Sequence, residues 1–372
     1  MSQQPGQSEN IGAYLESLTN GSEMGTRIRE FDWSATPIGQ VELWSPALRM
    51  MVRFLLANRF PLLLWWGPQY VSIYNDPYRP VLGTKHPWAL GRLVSECWQE
   101  IWHVLQPLID TPYHGGAATW NDDLLLEINR HGFFEETHFT IAYSPVPDET
   151  VPGGIGGVLA TVHEITDKVI GERRILALRD LGARVWETKS AEEACAAAAE
   201  TLTRHDKDVP FVLIYLLEVN GKRARLAGVT GIPPGREISP LTVELESGNK
   251  NGWPLAQAKE SGKMQIVHQL NARFETVPPG PWSEAPNMAA VVPVLSGKGH
   301  EVSALLIAGV SSRLHWDESY RGFLELVSTQ LASAIANARA YEEEKKRAAS
   351  LAELDRAKTI FFPMSAMSSG PH

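Results

Sequence analysis

Two cysteines in 372 residues are too few for a disulfide framework or a four-thiolate zinc site. A pair of free thiols also fits a reducing compartment. Cationic charge is short as well: 34 Lys and Arg stand against 43 Asp and Glu, a net charge of −9. Clustered cations are what a phosphate backbone requires, so this balance excludes a broad nucleic-acid surface and gives an expectation of no nucleic-acid partner. No apolar run approaches the roughly 20 residues of a membrane helix; the longest, such as Phe60–Gly67, are less than half of that. The first nine residues carry neither a basic segment nor an apolar one, so no secretory leader is expected. Missing too are a Walker lysine loop, an H-E-x-x-H pair and a G-x-S-x-G elbow. The expectation is a cytoplasmic multidomain protein without a membrane segment. What the chain does have is tryptophan, twelve in all.

The pattern reads as two α+β units. Ser45-Pro46 opens a helix, with proline at its first position. Pro61–Trp66 and Tyr70–Tyr74 are strands joined by Gly67-Pro68, a hairpin signal. Short helical pieces follow, with Trp98–Ile109 the strongest. Strands then recur at 122–129, 133–146 and 154–165. A charged, proline-free stretch with Ile170, Leu178, Leu181 and Val185 reads as a connecting helix. In the second unit an alanine-rich helix over 191–204 precedes strands at 211–219, 223–229, 264–268, 289–295 and 302–310. Turn chemistry marks Asn220-Gly221 and Ser296–Gly299. The final helix places Leu324, Val327, Leu331, Ala334, Ala338 and Tyr341 at alternating steps of three and four, with Leu351 and Leu354 resuming after a phase shift. That is a heptad seam, and it predicts a homodimer through this helix. Packing of Leu324 to Ala334 on the chain's own second sheet is the competing account.

Several segments carry a family resemblance. F-P-L-L-L-W-W-G-P at 60–68, Y-N-D-P-Y-R-P at 74–80, G-T-K-H-P at 83–87, G-R-L-V-S-E-C-W at 91–98 and F-T-I-A-Y-S-P-V at 139–146 resemble the PAS module that heads a group of bacterial hybrid sensor histidine kinases. D-V-P-F-V-L-I-Y-L-L at 208–217 and G-F-L-E-L-V at 322–327 resemble the GAF domain that follows it there. The stretch 340–362 resembles the lead-in to the dimerisation helix of such kinases. The resemblance implies this organisation: a lead at 1–24, a PAS domain at 25–166, a signalling helix at 167–189, a GAF domain at 190–318, a coiled-coil transmitter at 319–362 and a tail at 363–372. It implies an antiparallel sheet with inserted short helices in the first domain and with flanking helices in the second. It further implies a sensory module of a two-component system, reaching a response regulator only through a kinase region. After Phe362 the family's S-H-E-[FL]-R-T-P box is replaced by Pro363-Met364-Ser365. Two accounts fit: a sensory half that continues into a kinase, or a variant that has lost its output. Either way the chain itself is expected to be no enzyme; His372 lacks the acidic neighbour a phosphoacceptor uses.

Tests for a cofactor find little. Cys97 stands in S-E-C-W-Q-E, not the flavin-binding N-C-R-F-L-Q context, and Cys195 in an alanine-rich helix is no bilin attachment site. Both read as packing thiols. His103 and His114 are the candidates for a haem ligand, without a spacing signature. Asn271, Phe274 and Glu275 match a cyclic-nucleotide GAF signature only faintly, and Gly153–Gly157 reads as a hairpin turn. No metal is expected, and no cofactor is assigned. The aromatic set Trp65, Trp66, Tyr70, Tyr74, Tyr78, Trp88, Trp98, Trp102 and Trp120 is consistent with a packed core or with an apolar pocket for a small organic ligand. For such a pocket the candidate contacts are Trp66, Tyr74, Asn75, Tyr143 and His163. The alternative function is a ligand-free scaffold for protein contacts.

Overall fold

The computed structural model describes residues 13–18, 21–218, 220–246, 252–296 and 301–361. The turn expected at 296–299, most of the lead at 1–24 and the tail at 363–372 with His372 therefore lie largely or wholly outside the described residues. The chain divides into two compact units, Met1–Ile170 and Gly171–His372, with the division inside the Thr166–Val185 helix.

In the first unit the helix Pro46–Ala57 begins where Ser45 accepts a hydrogen bond from the Leu48 amide (3.1 Å), satisfying one of the free amides of a helix start. It lays Leu48, Val52 and Leu55 inward. Strands β1 (Leu62–Trp66), β2 (Val71–Tyr74), β3 (Thr119–Asn129), β4 (Phe134–Pro147) and β5 (Ile155–Glu164) form one antiparallel sheet in the order β2-β1-β5-β4-β3. The β1–β2 hairpin closes through Gly67, whose φ of 73° suits a residue without Cβ. All the short helices between β2 and β3, from Asp76 to Tyr113, belong to one excursion of the chain. β1 has no alternation at all, because all five of its residues are buried.

In the second unit strands β6 (Val212–Leu217), β7 (Arg223–Thr230), β8 (Thr242–Glu244), β9 (Gln265–His268), β10 (Met288–Leu295) and β11 (Val302–Gly309) pair antiparallel in the order β8-β7-β6-β11-β10-β9. The helix Ala191–Leu202 buries Ala194, Cys195, Ala198 and Ala199. It lies so close to β7 that a Cβ on Gly228 would sit 2.4 Å from the Cys195 carbonyl oxygen, so only glycine fits. A second cluster, with Phe211, Tyr215, Trp253 and Phe274, fills the unit's interior. The connecting helix is fixed to this unit by charge. Asp208, 1% exposed, accepts from Arg173 Nε (2.6 Å) and Arg174 Nε (3.2 Å). The Arg174 guanidinium also lies 4.4 Å over the Tyr320 ring, whose hydroxyl donates to the Asp208 carbonyl.

The helix Glu318–Phe361 places most of the expected dimer seam inside its own unit. Leu324, Val327, Leu331, Ala334 and Ala338 are 0–4% exposed and face the Ala191–Leu202 helix and β10 of their own unit. Steps of three and four describe any apolar helix face, whether it meets a partner helix or the chain's own sheet. Only Tyr341, Leu351 and Leu354 of the expected seam are exposed.

Candidate functional site

The sheet register of the first unit decides which aromatics meet. Tyr74 faces Leu63, Leu63 faces Ala160, and Ala160 faces Tyr143, so these four share one face. Ser72, Trp65, Val158 and Pro145 form the adjacent row on the same face. Over it lie Tyr78, Val81, Trp98, Ile101 and Leu105 from the helical excursion. They enclose a cavity of about 20 Å³ with Trp65 and Tyr143 in its wall. That is room for about one water and far below the ~300 Å³ at which organic-ligand pockets begin.

The wall holds two polar atoms without a partner. Trp65 Nε1 and the Tyr143 hydroxyl are both buried and meet no hydrogen-bonding group among the described residues. Their rings stack with centroids 5.4 Å apart and planes inclined by 26°. Next to them the Trp98 indole donates to the Tyr78 hydroxyl. Burial pushes the Tyr78 and Tyr143 hydroxyls well above the usual phenol range, so both are neutral donors. Chemically the site offers an indole N–H and a phenol O–H inside apolar walls. That suits a small ligand with one acceptor, or one water.

Of the five candidate contacts, Tyr143 alone lines this cavity. Trp66 is corrected to the opposite face, since consecutive residues of a strand point apart; Trp65 takes its place. Trp66 instead lies against Gly156 and Gly157, where a Cβ would come within 2.5 and 2.8 Å of its ring. Tyr74 shares Tyr143's face but lies three strands away. Its hydroxyl meets His86 Nδ1 (3.0 Å), and His86 Nε2 meets Glu23 Oε1 (3.1 Å). Glu23 also binds Arg27 (2.8 Å) and Arg79 (2.6 Å), and chiefly the Arg27 bond holds its carboxyl below the usual range. This chain pins the helix Glu23–Glu30. Asn75 is a packing residue: its Oδ1 accepts from the Leu62 amide, and its Nδ2 donates to the Leu55, Asn58 and Phe60 carbonyls. His163 is exposed opposite Thr140 and cannot reach the interior. Sequence patterning missed the non-local His86–Glu23 link, 63 residues apart.

His103 and His114 are exposed, so neither is an axial ligand inside a closed pocket. Burial pushes the Cys97 thiol up to about 11 and that of Cys195 to about 12, which keeps both protonated and unreactive. In the second unit Phe274 is buried against Trp253, centroids 4.8 Å apart, as a core residue.

Neither a protein-family model nor a curated protein matches the chain. Among solved structures, it is similar to the GAF domain of an Acinetobacter phosphoenolpyruvate-protein phosphotransferase at 20% identity, covering 45% of this chain and 94% of that one, with a TM-score of 0.34. The GAF domain of the corresponding Coxiella burnetii protein is similar at 16% identity, over 46% and 98% of the two chains, with a TM-score of 0.36. A putative GAF sensor protein from Burkholderia vietnamiensis is similar at 15%, over 45% and 96%, with a TM-score of 0.34.

Proposed function

We propose that the chain is a sensory module, a PAS unit followed by a GAF unit, that serves a two-component sensor histidine kinase in the cytoplasm. The sequence motifs at 60–98 and 139–146 support the first assignment, as does a five-stranded antiparallel sheet with a run of short helices inserted between its second and third strands. The second assignment is supported by the motif at 208–217 and a six-stranded antiparallel sheet flanked by helices. In this reading the module works as a homodimer, performs no chemistry of its own and reaches a response regulator only through the kinase. Among the described residues no helix is long and apolar enough to cross a membrane.

The observation that carries the sensory reading is the unpartnered pair, Trp65 Nε1 and Tyr143 OH, inside a buried apolar interior. Each buried, unmade hydrogen bond costs about 1–3 kcal/mol, which a ligand that accepts from them recovers. Such a ligand has to displace the aromatic wall, so it acts by its differential affinity for an expanded state. The scaffold reading is favoured by the same cavity's volume of about 20 Å³. Native mass spectrometry and thermal-shift screening with small metabolites separate the two. A retained mass, or a shift that is lost in Tyr143→Phe with Trp65→Phe, supports the sensor. A parent protein with neither is a scaffold.

A further inference from the structure

The helix Pro46–Ala57 is apolar on its outer side as well. Met50 is 65% and Phe54 51% exposed; Leu43, just before the helix, is 78% exposed, and Phe60, just after it, 64%. Within the helix Ala47, Met50, Phe54 and Ala57 form a row at steps of three, four and three, with Ala47 half-buried against the unit's own core and Leu43 and Phe60 beyond the helix ends. The inward side is already spent on Leu48, Val52 and Leu55. The row is therefore a second apolar face whose large side chains stay exposed among the described residues, with Tyr14 and Ser17 of the same unit against its Arg49 and Arg53 side. Contiguous exposed patches of this kind mark interaction surfaces.

Its charge names the partner. Arg49, Arg53 and Arg59 flank the row, and the sequence from Leu43 to Asn75 has no Asp or Glu. Arg49 donates to the Val41 and Glu42 carbonyls and Arg53 to the Ser17 hydroxyl, all neutral groups. Among the described residues none of the three arginines pairs with a carboxylate. A second copy of the same face would set arginine against arginine, and like charges across an interface oppose it. An anionic membrane is disfavoured by the chain's net charge of −9, and it has no use for a 3.5-residue spacing. The chain's first twelve residues have only Met1 and Ile11 as large apolar residues to lay on the row.

We propose that this face docks an amphipathic helix of another protein, with apolar residues at heptad spacing and acidic residues on its flanks. The apolar row supplies the contact area, and the three arginines select the charge.

The test uses two labelled 18-residue helical peptides with leucine at the heptad positions, one flanked by glutamate and the other by lysine. Fluorescence anisotropy with the full chain at low salt should show the glutamate peptide binding roughly tenfold tighter or better, a gap of about 1.4 kcal/mol. That preference should shrink as salt rises. Met50→Ser with Phe54→Ser should weaken binding at least tenfold (about 1.4 kcal/mol) without moving the melting midpoint, because both side chains are exposed. Arg53→Glu with Arg59→Glu should reverse the charge preference. Equal binding of the two peptides, or none, overturns the proposal. So does loss of a dimer in sedimentation velocity on Met50→Ser/Phe54→Ser, which makes the occupant a second copy. Vesicle co-sedimentation with phosphatidylserine that this double variant abolishes assigns the face to a membrane instead.

Discussion

The Trp65 and Tyr143 rings stack 5.4 Å apart in the first unit, and each ends in a polar atom that no group among the described residues satisfies. One strand separates them: Trp65 is on β1 and Tyr143 on β4, with β5 between. An arrangement that leaves two donors unmade in an apolar interior is expensive for stability alone.

Tyr143→Phe isolates that cost. The ring, its stack and the cavity wall remain, and only the unpartnered hydroxyl goes. The ligand-free protein should gain about 1 kcal/mol in urea denaturation. A loss of the same size would mean that the hydroxyl holds a trapped water or a co-purified ligand.

Asp208→Ala should be among the most damaging single changes in the second unit. It leaves the Arg174 guanidinium, whose side chain is 8% exposed, without its carboxylate. Removing one partner of a buried pair costs about 3–5 kcal/mol. Replacing both, as Asp208→Leu with Arg174→Met, should recover more than half of that loss. If the double variant is no better than Asp208→Ala, the pair is not the source of the stability.

His138 gives the first unit a pH dependence. Its Nε2 is 3.2 Å from Glu136 Oε1 and its Nδ1 2.6 Å from Asp123 Oδ1. The Glu136 bond, opposed by burial and joined by the Asp123 bond, holds the imidazole above its usual range. A raised folded value means that the stabilisation is complete below the unfolded value of about 6.5 and is lost as pH rises through the folded one. The unfolding free energy should therefore fall with rising pH across that window. In His138→Gln the slope should be absent; an unchanged slope would assign it to another group.

How far these features could be read from sequence depended on their range. The β1–β2 hairpin was legible because Gly67-Pro68 interrupts two apolar runs. Ser45-Pro46 likewise marked its helix. The choice of Trp65 over Trp66 was not legible: Leu62–Trp66 is buried on both sides, so no alternation shows which side meets Tyr143. Only the pairing of Leu63 with Ala160, and of Ala160 with Tyr143, fixes it. The Arg174–Asp208 pair spans 34 residues, beyond any local pattern. The outer row at Met50 and Phe54 was masked by the inner one, because Leu48, Val52 and Leu55 already give the helix a clear apolar side.

Leu331 and Leu354 separate the two meanings of the final helix's apolar spacing. Leu331 is fully buried in its own unit, while Leu354 is 59% exposed. Leu331→Ala should cost about 2–5 kcal/mol in chemical denaturation, as cavity-forming core changes do. Leu354→Ala should change it by less than about 0.5 kcal/mol. If the helix pairs with a second copy, that pairing lies beyond Ala338, where Tyr341, Leu351 and Leu354 are open. Sedimentation velocity should then respond to Leu351→Glu with Leu354→Glu and leave the melting midpoint of the units unchanged. A Leu331→Ala variant that keeps full stability but loses a dimer would restore the seam from Leu324 to Ala338 as an intermolecular contact.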